Sequence, residues 1–369
     1  MWQAEVALLN PLQLVLVGTV LEASALLAEV PTGLVADVYG RRLAVVLGVL
    51  MMSAGFAIEG SLPRFDSILV AQVIWGLGAT FLSGATQAWI SDEIGESAAA
   101  HAYLRGAQVE GICTLAAIPF SVLLASMRLN VPILVGAAVL LGMAGVLAVL
   151  MPETPRASSH ARTAIRGTLR ESLNAVRGKP IVLTLLALAA FFGAASEGFD
   201  RLWTPHILAN FTLPSAGGLD SIAWFGVMRG GGLLLAVAAT QVVRRAAWTG
   251  NPQVVARVLF CADGLRIGSI AVFAMTSDFG IAVATFWLAT VLRRVARPIY
   301  TGWLNRQLES GSRATVLSMS GQMDSLGQIV GGPIIGALAT QSLRAALVLT
   351  AAALAPALPL YVKASRSAR

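Results

Sequence analysis

Gly33-Leu34-Val35-Ala36-Asp37-Val38-Tyr39-Gly40-Arg41-Arg42 interrupts one long apolar run, Pro11 to Val30, and is followed by another, Leu43 to Ile58. A short segment carrying a carboxylate, glycines and paired arginines between two membrane-length apolar stretches reads as a cytoplasmic hairpin. Loops rich in Lys and Arg stay on the inner side of a bilayer, which orients the chain. The glycines permit a tight, close-packed turn. Asp37 can accept hydrogen bonds at a helix N-terminus or pair with an arginine.

Composition agrees with that reading. Of 369 residues, 56% are hydrophobic and only 12% charged, against about 25% charged in soluble domains. Mean hydropathy is +0.75. A membrane helix needs about 20 apolar residues, and eleven such stretches fit: 11–36, 43–60, 66–91, 103–126, 131–150, 181–207, 221–244, 253–275, 279–304, 314–340 and 343–363. With Arg41 and Arg42 inside, the inner loops collect Arg156 to Lys179, Arg244–Arg245, Arg306 to Arg313 and the tail Lys363, Arg366 and Arg369. The outer loops hold little more than Arg64, Arg128 and Arg344. The C-terminus is thus expected in the cytoplasm and the N-terminus, as the chain is given, outside. The net charge of +7 is a topology signal and suits anionic headgroups; no nucleic acid is expected.

Three regions follow: a bundle over 1–151, a cytoplasmic linker over 152–180, and a second bundle over 181–369. The linker opens on Pro152-Glu153-Thr154-Pro155-Arg156. In it Ile165, Leu169, Leu173 and Val176 recur at helical spacing against Arg162, Arg166, Arg170 and Arg177, the pattern of a helix lying on the inner surface. The bundles share a repeat. Trp89, Gln108, Glu110 and Pro119 return 214 positions later as Trp303, Gln322, Asp324 and Pro333, which implies parallel halves related by an axis along the membrane normal.

The ten-residue segment resembles the signature loop between the second and third helices of the major facilitator superfamily, carried by Gly33, Asp37, Gly40, Arg41 and Arg42. Val38 stands where the family usually has Arg or Lys. The resemblance implies an all-α membrane fold of two pseudo-twofold-related bundles, and a gate that locks their cytoplasmic ends. Family members normally have twelve helices, so the eleven here (5 + 6) imply that the first is missing through a displaced start site or a truncation; residues 1–10 read as its tail and an outer loop. Glu29-Val30-Pro31-Thr32-Gly33, with Trp89-Ile90-Ser91-Asp92-Glu93, looks like the tetracycline and multidrug efflux branch. That implies a monomeric inner-membrane exporter of small amphipathic molecules working by proton antiport. Two rivals stay open. One is uptake of a sugar or organic anion, suggested by Pro152 to Arg156 and the intramembrane arginines; the other is a transport-inactive membrane protein.

Ionisable groups inside a bilayer cost about 2.5–3.5 kcal/mol each on insertion scales and usually face a cavity or a partner. Glu22, Glu110 and Asp324 are the candidates for proton coupling, with Glu22 and Asp324 preferred. Glu110 and Asp324 hold matching repeat positions. Arg293 and Arg297 share a helix face that, by the resemblance, lines the cavity. Gln108, Gln322, Arg229 and Glu197 are further cavity candidates, with Trp75, Phe191 and Phe192 as aromatic floor. Glu197, Asp200 and Arg201 suit an outer gate. Asp263 and Arg266, one turn apart, read as a structural pair on a peripheral helix. Gly327, Gly331, Gly332, Pro333 and Gly336 form a small-residue helix face that lets backbones approach closely. Gln72 stands where many proton-coupled relatives have Arg.

No enzyme chemistry, cofactor or metal site is expected. Cys113 and Cys261 lie in apolar runs, and His101, His160 and His206 are scattered. There is no GxxxxGK[ST] phosphate loop, so ATP is not expected to drive the protein directly.

Overall fold

The computed structural model describes residues 1–152, 179–214, 221–245, 251–308 and 313–367. The expected linker helix and most of the Pro152–Arg156 string lie outside them. Among the described residues the chain is helical without strands: α1 (Pro11–Tyr39), α2 (Arg41–Ser61), α3 (Phe65–Ile94), α4 (Glu96–Met127), α5 (Val131–Leu150), α6 (Pro180–Asn210), α7 (Ser221–Arg245), α8 (Pro252–Met275), α9 (Phe279–Arg306), α10 (Arg313–Ala339), α11 (Leu343–Leu354) and α12 (Ala357–Ser367). Ten stretches are long and apolar enough to cross a bilayer. α10 matches their length but is thinned by Ser318, Gln322, Asp324, Ser325 and Gln328, so it falls outside that set.

Three features differ from the sequence expectation. The signature segment is not a loop over its ten residues. α1 runs on to Tyr39, and Gly40 alone separates it from α2, at φ 104°. A side chain is disfavoured at that angle, so a glycine can turn the chain where other residues would continue the helix. Gly95 does the same between α3 and α4 at φ 78°, which starts α4 at Glu96 rather than near 103. The expected last helix, 343–363, is two helices broken at Ala355-Pro356, because a proline inside a helix removes a backbone donor and crowds the preceding turn. Elsewhere the turns follow ordinary capping chemistry: Asn251, Asp278 and Ser342 each accept a backbone N–H of the helix they precede, at 2.9, 2.8 and 3.2 Å.

The chain forms two compact units, Met1–Leu9 with Val17–Ala161 and Asn10–Leu16 with Arg162–Arg369. In the first, α2 crosses α3 through glycines. A Cβ on Gly48 would stand 2.7 Å from the Gly78 carbonyl oxygen, and one on Gly78 2.7 Å from that of Gly48. Ser53 donates to the Ala137 carbonyl at 2.7 Å, fastening α2 to α5. In the second unit α6 is the centre, burying Leu185, Leu188, Ala195, Leu202 and Ile207. It packs on α10, α11 and α12.

Candidate functional site

The α6–α10 crossing places the site. A Cβ on Gly193 would lie 1.8 Å from the Asp324 carbonyl oxygen, and one on Gly327 1.9 Å from that of Ala190. No side chain fits at either position, so the two backbones touch, as small-residue helix faces allow. Gly331 abuts Ala194 in the same way, at 2.7 Å from its Cβ. A Cβ on Gly336 would lie 3.1 Å from Leu12 and from Val15 at the start of α1. This contact holds Asp324 one turn from Gly327 and beside Phe192 and Ser196.

There the second unit opens a cavity of about 310 Å³, lined by Phe192 and Ser196 of α6, Asp263 and Arg266 of α8, Arg293, Arg297, Tyr300 and Leu304 of α9, and Leu317, Ser320 and Asp324 of α10 among others. Five ionisable side chains other than tyrosine thus meet on one wall, within helices long enough to span a bilayer. Arg293 donates one nitrogen to both oxygens of Asp200, at 2.8 and 2.7 Å. Asp263 and Arg266, only 2% and 4% exposed, stand 3.9 Å apart. That is an ion pair too long to be a hydrogen bond. Instead Asp263 accepts the phenolic O–H of Tyr361, which is fully buried on α12. The Nη2 of Arg266 is buried without a hydrogen-bond partner. Asp324 accepts from Gln328 at 2.9 Å.

Tyr300 fixes the floor. Its hydroxyl donates to the Leu185 carbonyl at 2.8 Å and lies 3.0 Å from the Ser320 hydroxyl. One phenol has one proton to give, so Ser320 must donate to Tyr300. The Phe192 ring packs edge-on against Tyr300 at 5.2 Å.

Of the residues singled out from sequence, Phe192, Arg293, Arg297 and Asp324 come together here. Asp263 and Arg266, read as a self-contained structural pair, are part of the same wall. Their helix packs against α9 and carries the pair inward, which the peripheral placement did not anticipate. Tyr300, Ser320 and Tyr361 were missed. Hydroxyls in apolar helices carry no sequence flag until a partner is known.

The remaining candidates lie elsewhere. Glu197 is buried and bonded to Arg201 at 3.0 Å, one turn along α6. Arg229 is exposed and stacks over the Trp203 ring at 5.9 Å. Gln322 and Phe191 are half-buried and do not line the cavity. Glu22, Gln108, Glu110 and Trp75 belong to the first unit. There Gln108 and Glu110 are exposed, Glu22 is half-buried, and Trp75 stacks on Phe56 at 6.4 Å.

In the first unit Arg41 forms an ion pair with Asp92, and Arg42 donates to the Ala148 carbonyl. The signature arginines therefore engage the Trp89–Glu93 string and the end of α5. The Asp37 side chain lies outside what is described. Sequence reading also missed Glu59, a buried carboxylate at the end of α2 that accepts from Gln3 and Gln72, each at 2.8 Å. Thus Gln72 supplies an amide donor to a carboxylate. His206 is a satisfied core residue. Asn210 donates to its Nδ1 at 3.2 Å, so its Nε2 carries the proton given to the Phe273 carbonyl. Among the described residues no three His, Cys, Asp or Glu side chains group as a metal site.

No protein-family model matches the chain. Solved structures match almost all of it. A variant of the nucleoside transporter NupG superposes with a TM-score of 0.78 at 12% identity, covering 98% of this chain and 93% of that one. A bacterial homolog of the human lysosomal transporter Spinster, in an inward-facing and occupied conformation, gives 0.73 at 16% identity, covering 99% and 91%. These likenesses show the fold: among the described residues the chain has ten membrane-length helices arranged in the major facilitator fold of those solved transporters. In sequence, the chain is 26% identical over 336 residues to the uncharacterized MFS-type transporter YxaM of Bacillus subtilis (strain 168), covering 88% of this chain and 80% of that protein.

Proposed function

We propose that the chain is a secondary active transporter that exports small amphipathic molecules from the cytoplasm by proton antiport, through rocker-switch alternating access. The observation that carries this reading is the 310 Å³ cavity in the second unit, which combines an apolar wall with charges of both signs inside membrane-spanning helices. Groups so placed are expensive in lipid, and they are the usual marks of a solute or proton path. Asp324 is the coupling carboxylate in this reading, with Glu22 of the first unit as the other preferred candidate. Arg41 and Asp92 provide a charge pair of the kind a gate can open and close. The excess of Arg and Lys in the expected inner loops supports a cytoplasmic C-terminus and an inner-membrane location in this reading. The protein acts as a monomer.

A second reading has a specific observation behind it. Three arginines on the cavity suit uptake of an organic anion. The similar transporters carry different solutes by name, so the fold does not choose between the readings.

Everted membrane vesicles decide. Under the export reading an imposed inside-acid pH gradient drives accumulation of an amphipathic dye such as the monoanion 8-anilinonaphthalene-1-sulfonate, and Asp324→Asn abolishes gradient-driven accumulation while retaining solute exchange. Uptake of an organic anion by right-side-out vesicles, with no export in either orientation, favours the second reading. Flux in neither preparation by a folded protein removes both.

A further inference from the structure

The charges on the cavity wall are not evenly satisfied. Arg293 is taken up by Asp200 through two hydrogen bonds. Asp263 is taken up by Tyr361, with Arg266 at ion-pair distance. Asp324 has Gln328 as donor and feels the positive charges of Arg297, Arg293 and Arg266. Arg297 is different. It lines the cavity one turn beyond Arg293 and is exposed, and it has no hydrogen-bond or ion-pair partner within 4 Å among the described residues. Arg266 adds a second unmet donor, its buried Nη2. A buried donor left without a partner is costly, so a ligand acceptor that satisfied it would gain accordingly.

Three arginines and two aspartates line the cavity, and Asp200 takes up Arg293 from outside the lining, so the charges balance in number and Arg297 is, among the described residues, the arginine left without a direct partner. A cation entering here would meet three guanidinium groups around the carboxylate it needed. A dianion would bring more negative charge than the one arginine without a direct partner could meet. The lining also includes the apolar side chains Phe192, Leu304 and Leu317. A volume of about 310 Å³ equals roughly ten waters at about 30 Å³ each, enough for a single-ring solute. A planar guanidinium matches a carboxylate through two parallel hydrogen bonds, which an ammonium cannot reproduce.

We propose that this cavity binds a small amphipathic organic monoanion, its carboxylate on Arg297 with Arg266 as the second donor, and its apolar body against Phe192 and Leu317. The inference rests on the transport reading above and names the class of solute.

Calorimetric binding to the full-length protein in lipid nanodiscs tests it with three probes of one shape: benzoate, neutral benzamide and cationic benzylamine. Benzoate is expected to bind at least tenfold more tightly than either. Arg297→Gln loses that preference by tenfold or more, leaves benzamide unchanged, and keeps the thermal transition of the parent. Arg297→Lys falls between them, since it keeps the charge without the fork. Arg257→Gln, which removes an α8 arginine that does not line the cavity, leaves all three probes unaffected. Equal or tighter binding of benzamide or benzylamine overturns the anion assignment while leaving a solute chamber in place. The same holds for an Arg297→Gln variant that retains benzoate. Saturable binding of none of the probes by folded protein overturns both the assignment and the chamber.

Discussion

Within each unit glycines let helices cross, yet among the described residues only the second places an ionisable side chain at such a crossing. In the first unit Gly48 and Gly78 bring α2 onto α3, and their surroundings are Phe81, Leu82 and Met52. In the second, Gly193 and Gly327 bring α6 onto α10, and the residue whose carbonyl meets Gly193 is Asp324 itself. The first unit keeps its described ion pairs, Arg41–Asp92 and Arg64–Asp66, at helix ends and partly or largely exposed. The second puts Asp263 and Arg266 almost wholly out of water. Close backbone packing is thus common to both, and the first unit buries the Glu59 carboxylate with Gln72, whereas charges of both signs line a described cavity in the second. One device builds the scaffold; the other selects what binds in it.

The largest expected effect tests the common part. Gly327→Val or Gly193→Val forces a branched side chain to within 2 Å of a facing carbonyl, beyond the 1–3 kcal/mol typical of overpacking. Neither variant is expected to give a monodisperse peak on size exclusion. Gly48→Val is expected to lower folded yield severalfold. Gly142→Val, with open space around its Cβ, is expected to behave as the parent. Equal tolerance at all four sites would break the claim that glycines set both crossings.

Next comes the polar interior. Arg266→Met leaves Asp263 buried with only Tyr361, and breaking a buried pair in this way costs about 3–5 kcal/mol. The double variant Arg266→Met with Asp263→Asn should recover much of that loss in denaturant unfolding. A recovery near zero would mean the two residues do not act together. A smaller effect sharpens the contrast from the other side. Gln72→Leu withdraws one of the amide donors to Glu59 and should cost about 1.5–3 kcal/mol, typical of a hydrogen bond to a charged group. The smallest concerns Asp200→Asn. The Arg293–Asp200 pair is 30% and 50% exposed, so about 0–1 kcal/mol is expected. Any larger change in that variant should be read in solute binding, because Arg293 would then be released toward the cavity.

Much of this fold is legible in the sequence, since a bilayer demands a long apolar run for each crossing and leaves little ambiguity about helix positions. What sequence reading missed has definable causes. Pro356 breaks the last helix without interrupting its apolarity, so a reading by hydropathy passes over it. Gly40 ends α1 by backbone angle, whereas the polar residues before it, Asp37 and Tyr39, suggested a longer loop. The site was half legible. Charges in apolar helices announce themselves, and Arg293, Arg297 and Asp324 were recognised for that reason. Which charges meet depends on the rotational setting of four helices, which no single helix encodes. Asp263 and Arg266 therefore looked sufficient to each other, and Tyr361, almost a hundred residues away, gave no sign of serving Asp263.

The central claim is that the second unit holds a water-accessible solute chamber walled by Arg297, Tyr300, Ser320 and Asp324. Its most direct test is thiol accessibility. With Cys113→Ser and Cys261→Ser as background, Ser320→Cys is treated in membranes with a charged, impermeant maleimide. The account predicts labelling from the aqueous phase that slows severalfold when benzoate saturates the protein. A thiol at position 320 that stays unreactive from both faces of the membrane, or that reacts at one rate whatever solute is present, would contradict it.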